Sequence, residues 1–360
     1  MESIATADIV RKIIVGVDTH KHVHVAVAVD HLGARLADIT VSADTGGYEQ
    51  LESWANKLGP VEYGIEGTGS YGAGLTSHLR RTGYRIVEVN RGDRRSRRLN
   101  GKSDTLDAET AARSVLAGTA TAVPKSRDGV AEMIRIIKVA RDTARKGRSS
   151  AIITLKQVIV NSPAELRETL TSLGDKALID HCARFRIRDA ECPQAACRHA
   201  LRALARRWRD LEAEVKSHDL ILGKLTTEAS PTLRQGYGIG PDTAAEILIV
   251  LGDNPERIKS EAAFAKLCGV CPIPASSGLT NKHRLFRGGH RQANSALYRT
   301  AIVRMRFHEP TIEYVARRTA EGLTKKDIIR CLKRFIAREA YQRVMTDHRA
   351  RLAAAHLPNT

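Results

Sequence analysis

Aromatic residues are scarce in this 360-residue chain, only 4% of the total, and there are just six cysteines. The first shortage argues against stacking platforms for single-stranded bases, which need rings at intervals along a groove. The second excludes a disulfide scaffold at this length. Cys268 and Cys271 form one C-x-x-C, but the second pair of a zinc ribbon is missing, and Cys192 and Cys197 have no histidine pair at finger spacing. Reduced, buried thiols are the expectation. No apolar run is long enough to span a bilayer, and Met1 to Asp8 lacks the basic-then-apolar layout of a secretory signal. The expected setting is therefore cytoplasmic, with no membrane partner. Acidic residues are short too: 40 Asp and Glu face 58 Lys and Arg, a formal charge of +18. Such an excess favours a polyanionic partner, nucleic acid first. At 42% hydrophobic the chain can fill cores, and its length predicts two or three compact units.

The patterning is α/β followed by α. Ile13 to Val17 is an apolar run, and Val23, Val25, Val27 and Val29 alternate with other residues after only Thr19 to His22, which predicts a β-hairpin. A helix over 46–58, a strand at Val61 to Ile65 closed by Glu66-Gly67-Thr68-Gly69, a helix over 72–81, a strand at 85–89 and a helix over 105–117 follow. The layered domain this implies is placed at residues 1–125. From Asp128 to Gln157 there is no proline, and after Gly129 only one glycine, Gly147, interrupts the run. Leu201, Leu204, Trp208, Leu211, Val215, Leu222 and Leu225 then hold an a/d register, with His218 at its one polar place, which predicts a coiled-coil and dimerisation region over 126–228. The alternative is a helical hairpin folded on itself within one chain. A mainly helical C-terminal domain over 229–351 and a fraying tail over 352–360 complete the expectation.

Positive charge is clustered. Nine Lys or Arg between Arg80 and Lys102, among them Arg94, Arg95, Arg97, Arg98 and Lys102, face only Glu88 and Asp93. Eight more between Ala262 and His308, including Arg284, Arg287 and Arg291, face no carboxylate. Either run could be a solvated face; two in an already basic chain read as phosphate footprints. Residues 238–247 (GIGPDTAAEI) set a glycine-rich turn before a helix, which presents free N–H groups to a phosphate and resembles a helix-hairpin-helix.

Four carboxylates stand out. Asp18 ends the first strand, Glu66 ends another beside glycines, and Asp104 and Asp107 lie three apart at the start of a helix, on one face. Each alone could be a turn or helix cap. Gathered together they would repel unless cations neutralised them, and oxygen-only ligands suit Mg²⁺ or Mn²⁺ in phosphoryl transfer. His20, His22 and His24 are expected to stay out of any metal site, because alternating faces keep them from converging on one ion. Lys21, near Asp18, is placed for a phosphate.

The stretches IIVGVDTHK, YGIEGTGSYG and GKSDTLDAETAA, in this order, resemble the RuvC-like, RNase H-like N-terminal domain of the DEDD transposases of the insertion-sequence 110 family. YGIGPDTAAEIL, FAKLCGVCPIPASSG and FRGGHRQANSALYR resemble that family's C-terminal transposase domain. The resemblance implies a recombinase of mobile elements acting on donor and target DNA, guided by a structured RNA. It assigns the four acidic, metal-binding positions to Asp18, Glu66, Asp104 and Asp107 and the serine nucleophile to Ser277, with Ser276 as the open alternative. The family's lysine in the downstream glycine-rich run is absent here, leaving His290 or Arg291 to supply a cation. A homodimer assembling to a homotetramer is the expected state. Two rivals remain at this point: a metal-dependent junction nuclease that activates water with the same carboxylates, and a non-catalytic nucleic-acid-binding protein.

Overall fold

In the computed structural model, which describes residues 12–90, 103–186, 191–278 and 283–355, the first two apolar runs form the expected hairpin. β1 (Ile13–Thr19) and β2 (Val23–Val29) pair antiparallel, with Asp18 opposite Val25 and Thr19 opposite His24. The chain then adds a strand that the sequence did not announce, β3 (Arg35–Ser42), on the outer edge of β2. Only Val41 of its eight residues is buried, so its apolar pattern is faint, as an edge strand facing solvent allows. α1 (Thr45–Asn56) is capped by Asp44, whose carboxylate accepts from the Gly47 N–H at 2.9 Å. β4 (Val61–Glu66), α2 (Ala73–Arg81), β5 (Ile86–Val89) and α3 (Asp104–Leu116) complete the unit.

The sheet order is β3-β2-β1-β4-β5, with β1, β4 and β5 mutually parallel, a mixed arrangement consistent with a RuvC-like fold. Both faces are covered. Val15, Val17, Ala26, Ala28, Tyr63 and Ile65 pack with Leu51, Leu75 and Leu79 on one side. Ile14, Val27 and Val29 pack with Ala108 and Ala112 of α3 on the other. The alternation in β2 is therefore not apolar against polar but valine against alanine, each facing a helix.

Residues 1–127 form one compact unit and 128–360 the other. The second is built on two long helices, α4 (Val130–Val160) and α7 (Pro193–Ala229). They run antiparallel: Arg141 pairs with Asp219, Arg148 with Glu212, and Leu155 and Leu201 share one cluster. The a/d stripe expected to join two chains is thus filled by the chain's own α4. Leu201 and Leu222 are fully buried, and Leu211 sits over Gly147, with its Cδ1 3.2 Å from where a Cβ would stand. The heptad spacing reported a helical seam correctly but not whose helix fills it, because an intrachain antiparallel pair uses the same spacing. Two short helices that the sequence did not announce, α5 (Ala164–Thr171) and α6 (Asp175–Ala183), close the far end with Leu166, Leu170, Leu178 and Ile179.

At the near end Ile134 and Leu222 join the core of the C-terminal helices. These are α8 (Pro231–Arg234), α9 (Pro241–Leu251), α10 (Glu261–Leu267), α11 (Arg291–Phe307), α12 (Glu309–Ala320) and α13 (Lys325–Ala355), with a two-stranded ribbon, β6 (Pro272–Pro274) and β7 (His283–Leu285), between α10 and α11. α13 continues four residues into the segment expected to fray. A buried ion network ties the long helices to this core: Lys138 contacts Asp242 at 2.8 Å, Asp142 at 2.9 Å and Glu246 at 3.1 Å, and Asp242 also meets Arg141 at 2.9 Å and Arg299 at 2.6 Å. Asp242 lies in the first turn of α9. The helix terminus read as a phosphate site therefore already holds a carboxylate with three cations around it.

Candidate active site

Two glycines position the first cluster. Gly16 of β1 and Gly64 of β4 are register partners, and a Cβ on Gly16 would overlap the backbone of Ala108 and Ala112, while one on Gly64 would press on Val115. Their bare backbone lets α3 lie directly on the sheet, with Ala108, Ala111 and Ala112 buried against it. From Ala112 back to Asp104 the helix covers about 12 Å, and from Gly16 forward to His20 the strand covers about 13 Å. The first turn of α3 consequently lies over the end of β1.

Strand alternation completes the arrangement. Ile14, Gly16, Asp18 and His20 fall on one face of β1, the face that α3 covers. Asp18 is buried, and its carboxylate lies 3.9 Å from Nδ1 of His20; Nε2 of the same ring lies 3.8 Å from the carboxylate of Asp104. Taking one ligand atom from each, the three groups lie within 4.8 Å of one another, and among the described residues they are the one His, Cys, Asp or Glu group placed to hold a metal ion. The donor set fits a divalent cation: two carboxylates offer hard oxygens, and His20 Nδ1 is a buried nitrogen with no hydrogen-bond partner among the described residues.

Glu66 and Asp107 are half-buried and stand outside that set of three. Glu66 ends β4 beside β1, where Val17 and Ile65 are partners and the Thr19 hydroxyl donates to the Glu66 carbonyl at 2.8 Å. Gly67 follows with a φ of 71°, which turns the chain sharply there. Asp107 lies one turn beyond Asp104 on α3.

The histidines separate as strand geometry requires, with one exception to the expectation. His24, opposite Thr19, faces the other side of the sheet, where its ring stacks on Tyr48 at 5.8 Å and burial lowers its pKa. Lys21 and His22 are exposed at the turn. His20 joins the carboxylates. Strand alternation keeps the histidines from meeting one another but does not keep one histidine from Asp18 two residues away.

The C-terminal expectations fall on the ribbon and the start of α11. Ser276 and Ser277 are exposed in the segment after β6, and Gly278 has a φ of 55°. Arg284 lies in β7 opposite Ile273, and Arg284, Arg287 and Arg291 are all exposed. Arg94, Arg95, Arg97, Arg98 and Lys102 lie outside the described residues. His290 caps α11, its Nδ1 accepting from the Ala293 N–H at 3.2 Å, and Arg291 beside it is exposed. Asn294 is structural as well. Its amide donates to the carbonyls of Cys268 at 3.0 Å and Gly269 at 2.8 Å and accepts from Lys333 at 2.6 Å, while Gly289 packs backbone to backbone on Gly269. Cys268 of the C-x-x-C is buried, and burial pushes its thiol up to about 12.

Comparison with known sequences bears on this geometry directly. Residues 15–162 match a family described as a transposase of the DEDD, IS110 type, and residues 230–316 match the Transposase IS116/IS110/IS902 family. An uncharacterized 44.8 kDa protein of insertion element IS116 from Streptomyces clavuligerus is 25% identical over 380 residues, covering 90% of this chain and 92% of that protein. An uncharacterized 43.6 kDa protein of insertion element IS110 from Streptomyces coelicolor is 30% identical over 130 residues, 35% of this chain and 30% of that protein. A mixed sheet with Asp18 at a strand end beside Asp104 of the covering helix, in a chain that matches two transposase families, defines a DNA transposase. The chain belongs to the IS110 family of DEDD transposases. Membership implies dependence on a divalent metal, for which Asp18, His20 and Asp104 form the candidate cluster. No helix among the described residues is long and apolar enough to cross a membrane.

Proposed function

We propose that this transposase cuts and rejoins DNA through a phosphoserine formed by Ser277, assisted by a metal site built from Asp18, Glu66, Asp104 and Asp107. What supports the reading is the convergence of Asp18 and Asp104, far apart in sequence, at the end of β1. A bound Mg²⁺ or Mn²⁺ would neutralise charge on the reacting phosphate. Ser277 Oγ would form the new bond to phosphorus as the DNA 3′ or 5′ oxygen departs, so the phosphodiester energy is retained for rejoining and no nucleotide cofactor is consumed. The φ of Gly278 suits close approach of a strand to the neighbouring backbone. Arg284, Arg287 and Arg291 would hold phosphates, and the basic run from Arg94 to Lys102 would add affinity without reading bases. A structured guide RNA, a homodimer and its homotetramer are part of the same proposal.

Incubation of the full chain with its terminal DNA and Mg²⁺, followed by denaturing electrophoresis, is the test. A covalent protein–DNA band is expected in the wild type and in Ser276→Ala, and none in Ser277→Ala. Metal-dependent cleavage without any such band would replace the serine step with water activation, the nuclease reading. Sequencing RNA that copurifies with the protein tests the guide.

A further inference from the structure

His20 has no structural task that accounts for its position. Its backbone N–H closes the hairpin turn by donating to the Val23 carbonyl at 3.0 Å, which any residue could do. Among the described residues the imidazole finds no hydrogen-bond partner for Nδ1, although that atom is shut off from solvent. A buried polar atom without a partner is costly unless something fills the gap. Among the described residues, the carboxylates of Asp18 and Asp104 lie 3.9 Å from His20 Nδ1 and 3.8 Å from its Nε2, beyond hydrogen-bond reach on both sides. An octahedral ion with bonds of ~2.1 Å keeps its ligands ~3 to 4 Å apart, and one ligand atom from each of the three residues already lies within 4.8 Å of the others, so a small turn of the His20 ring closes the set.

Resting on the metal reading above, we propose that His20 is a nitrogen ligand of the ion held by Asp18 and Asp104, and that it tilts the site towards Mn²⁺ over Mg²⁺. The chemistry follows from ligand softness. Mg²⁺ takes oxygen ligands and parts reluctantly with its waters, whereas imidazole is a good ligand for first-row transition ions. An all-carboxylate site would not discriminate on that ground. The position also has a geometric cause: His20 follows Asp18 by two residues on the strand face that α3 covers, so any histidine there is delivered to the first turn of α3.

The test uses the untagged full chain with Mn²⁺ alone as probe. Electron-spin-echo spectroscopy of the bound Mn²⁺ should show directly coordinated imidazole nitrogen, lost in His20→Ala and kept in His22→Ala. The ratio of Mn²⁺ to Mg²⁺ affinity, measured by calorimetric competition, should fall at least about tenfold in His20→Ala. Both substitutions sit at the hairpin turn, outside the core, and unchanged thermal unfolding would confirm an intact fold. Mn²⁺ bound without nitrogen coupling in the wild type would overturn the proposal while leaving the carboxylate site standing. Mn²⁺ binding absent from the wild type, or unaltered in Asp18→Asn, would overturn both.

Discussion

Gly16 and Gly64 are paired across β1 and β4, and the backbone of α3 occupies the space where the Gly16 side chain would project. This contact sets the height of α3 above the sheet and hence the meeting of Asp104 with Asp18 and His20. A Cβ on Gly16 meets backbone atoms rather than the end of a flexible side chain, so the helix itself must shift. Gly16→Ala should cost about 3 kcal/mol by overpacking and should also weaken Mn²⁺ binding. Gly83→Ala, where nothing lies within 4 Å but φ is 90°, should cost about 1 kcal/mol and leave the metal site untouched. Urea unfolding and Mn²⁺ titration of both variants would separate the two effects.

Asp104→Asn and Glu66→Gln remove charge while keeping shape. Asp104 is half-buried at the helix N-terminus and supports no core contact, so thermal stability should change by less than about 1 kcal/mol. Strand exchange should fall by at least about a hundredfold, the scale on which a single transition-state contact is worth. Recombination by either variant at near wild-type rate in Mg²⁺ would remove that carboxylate from the site.

Much of this arrangement is legible in the sequence. The hairpin follows from the alternating valines of β2, and the strand ends carrying Asp18 and Glu66 follow from the apolar runs that stop there. β3 escaped notice because its exposed edge leaves only Val41 buried. The place of His20 is legible too, since strand alternation puts it two residues after Asp18 on the same face. Gly16 and Gly64 were also readable: a glycine inside each of two parallel strands marks a close backbone approach, and the alanines at 108, 111 and 112 are its counterpart. What sequence could not supply was the partner of the a/d stripe, since a heptad repeat does not say whether the facing helix belongs to the same chain.

Lys138 offers a test of the buried ion network. Burial alone would lower its pKa, yet the hydrogen bonds it donates to Asp242 and Asp142, with Glu246 nearby, outweigh that and raise the value above 10.5. Burial would raise the pKa of Asp242, but Lys138, Arg141 and Arg299 outweigh it and hold it below 3.8. The Asp242 contribution to stability is therefore present above pH 3.8 and lost as pH falls through its lower folded value; that of Lys138 is present below pH 10.5 and lost above. Lys138→Met should destabilise residues 128–360 by about 3 kcal/mol at pH 7.5, by leaving Asp242 and Glu246 short of a cation. Burial already raises the Glu246 pKa, so protonation of Glu246 should relieve the variant and shrink the deficit at pH 5. Urea midpoints at the two pH values check this, and an equal deficit at both would remove Glu246 from the network.

The seam between α4 and α7 leads to the last expectation. Leu211 is seated over Gly147, and Leu204 packs with Leu155, Leu201 and Ala205 in the cluster at the far end. Asp at both 204 and 211 would put two carboxylates into this half-buried apolar seam, at up to several kcal/mol for each charge left uncompensated. Because the facing helix is in the same chain, the damage should appear as a lower melting temperature at every protein concentration. The particle mass by light scattering should stay that of the wild type for as long as the variant remains folded. Far-ultraviolet circular dichroism should report lost helix, since an isolated helix of this length keeps only part of its structure without packing. A double variant that melts like the wild type while its mass halves would show instead that the stripe joins two chains, and that α4 yields its place to a second α7 in solution.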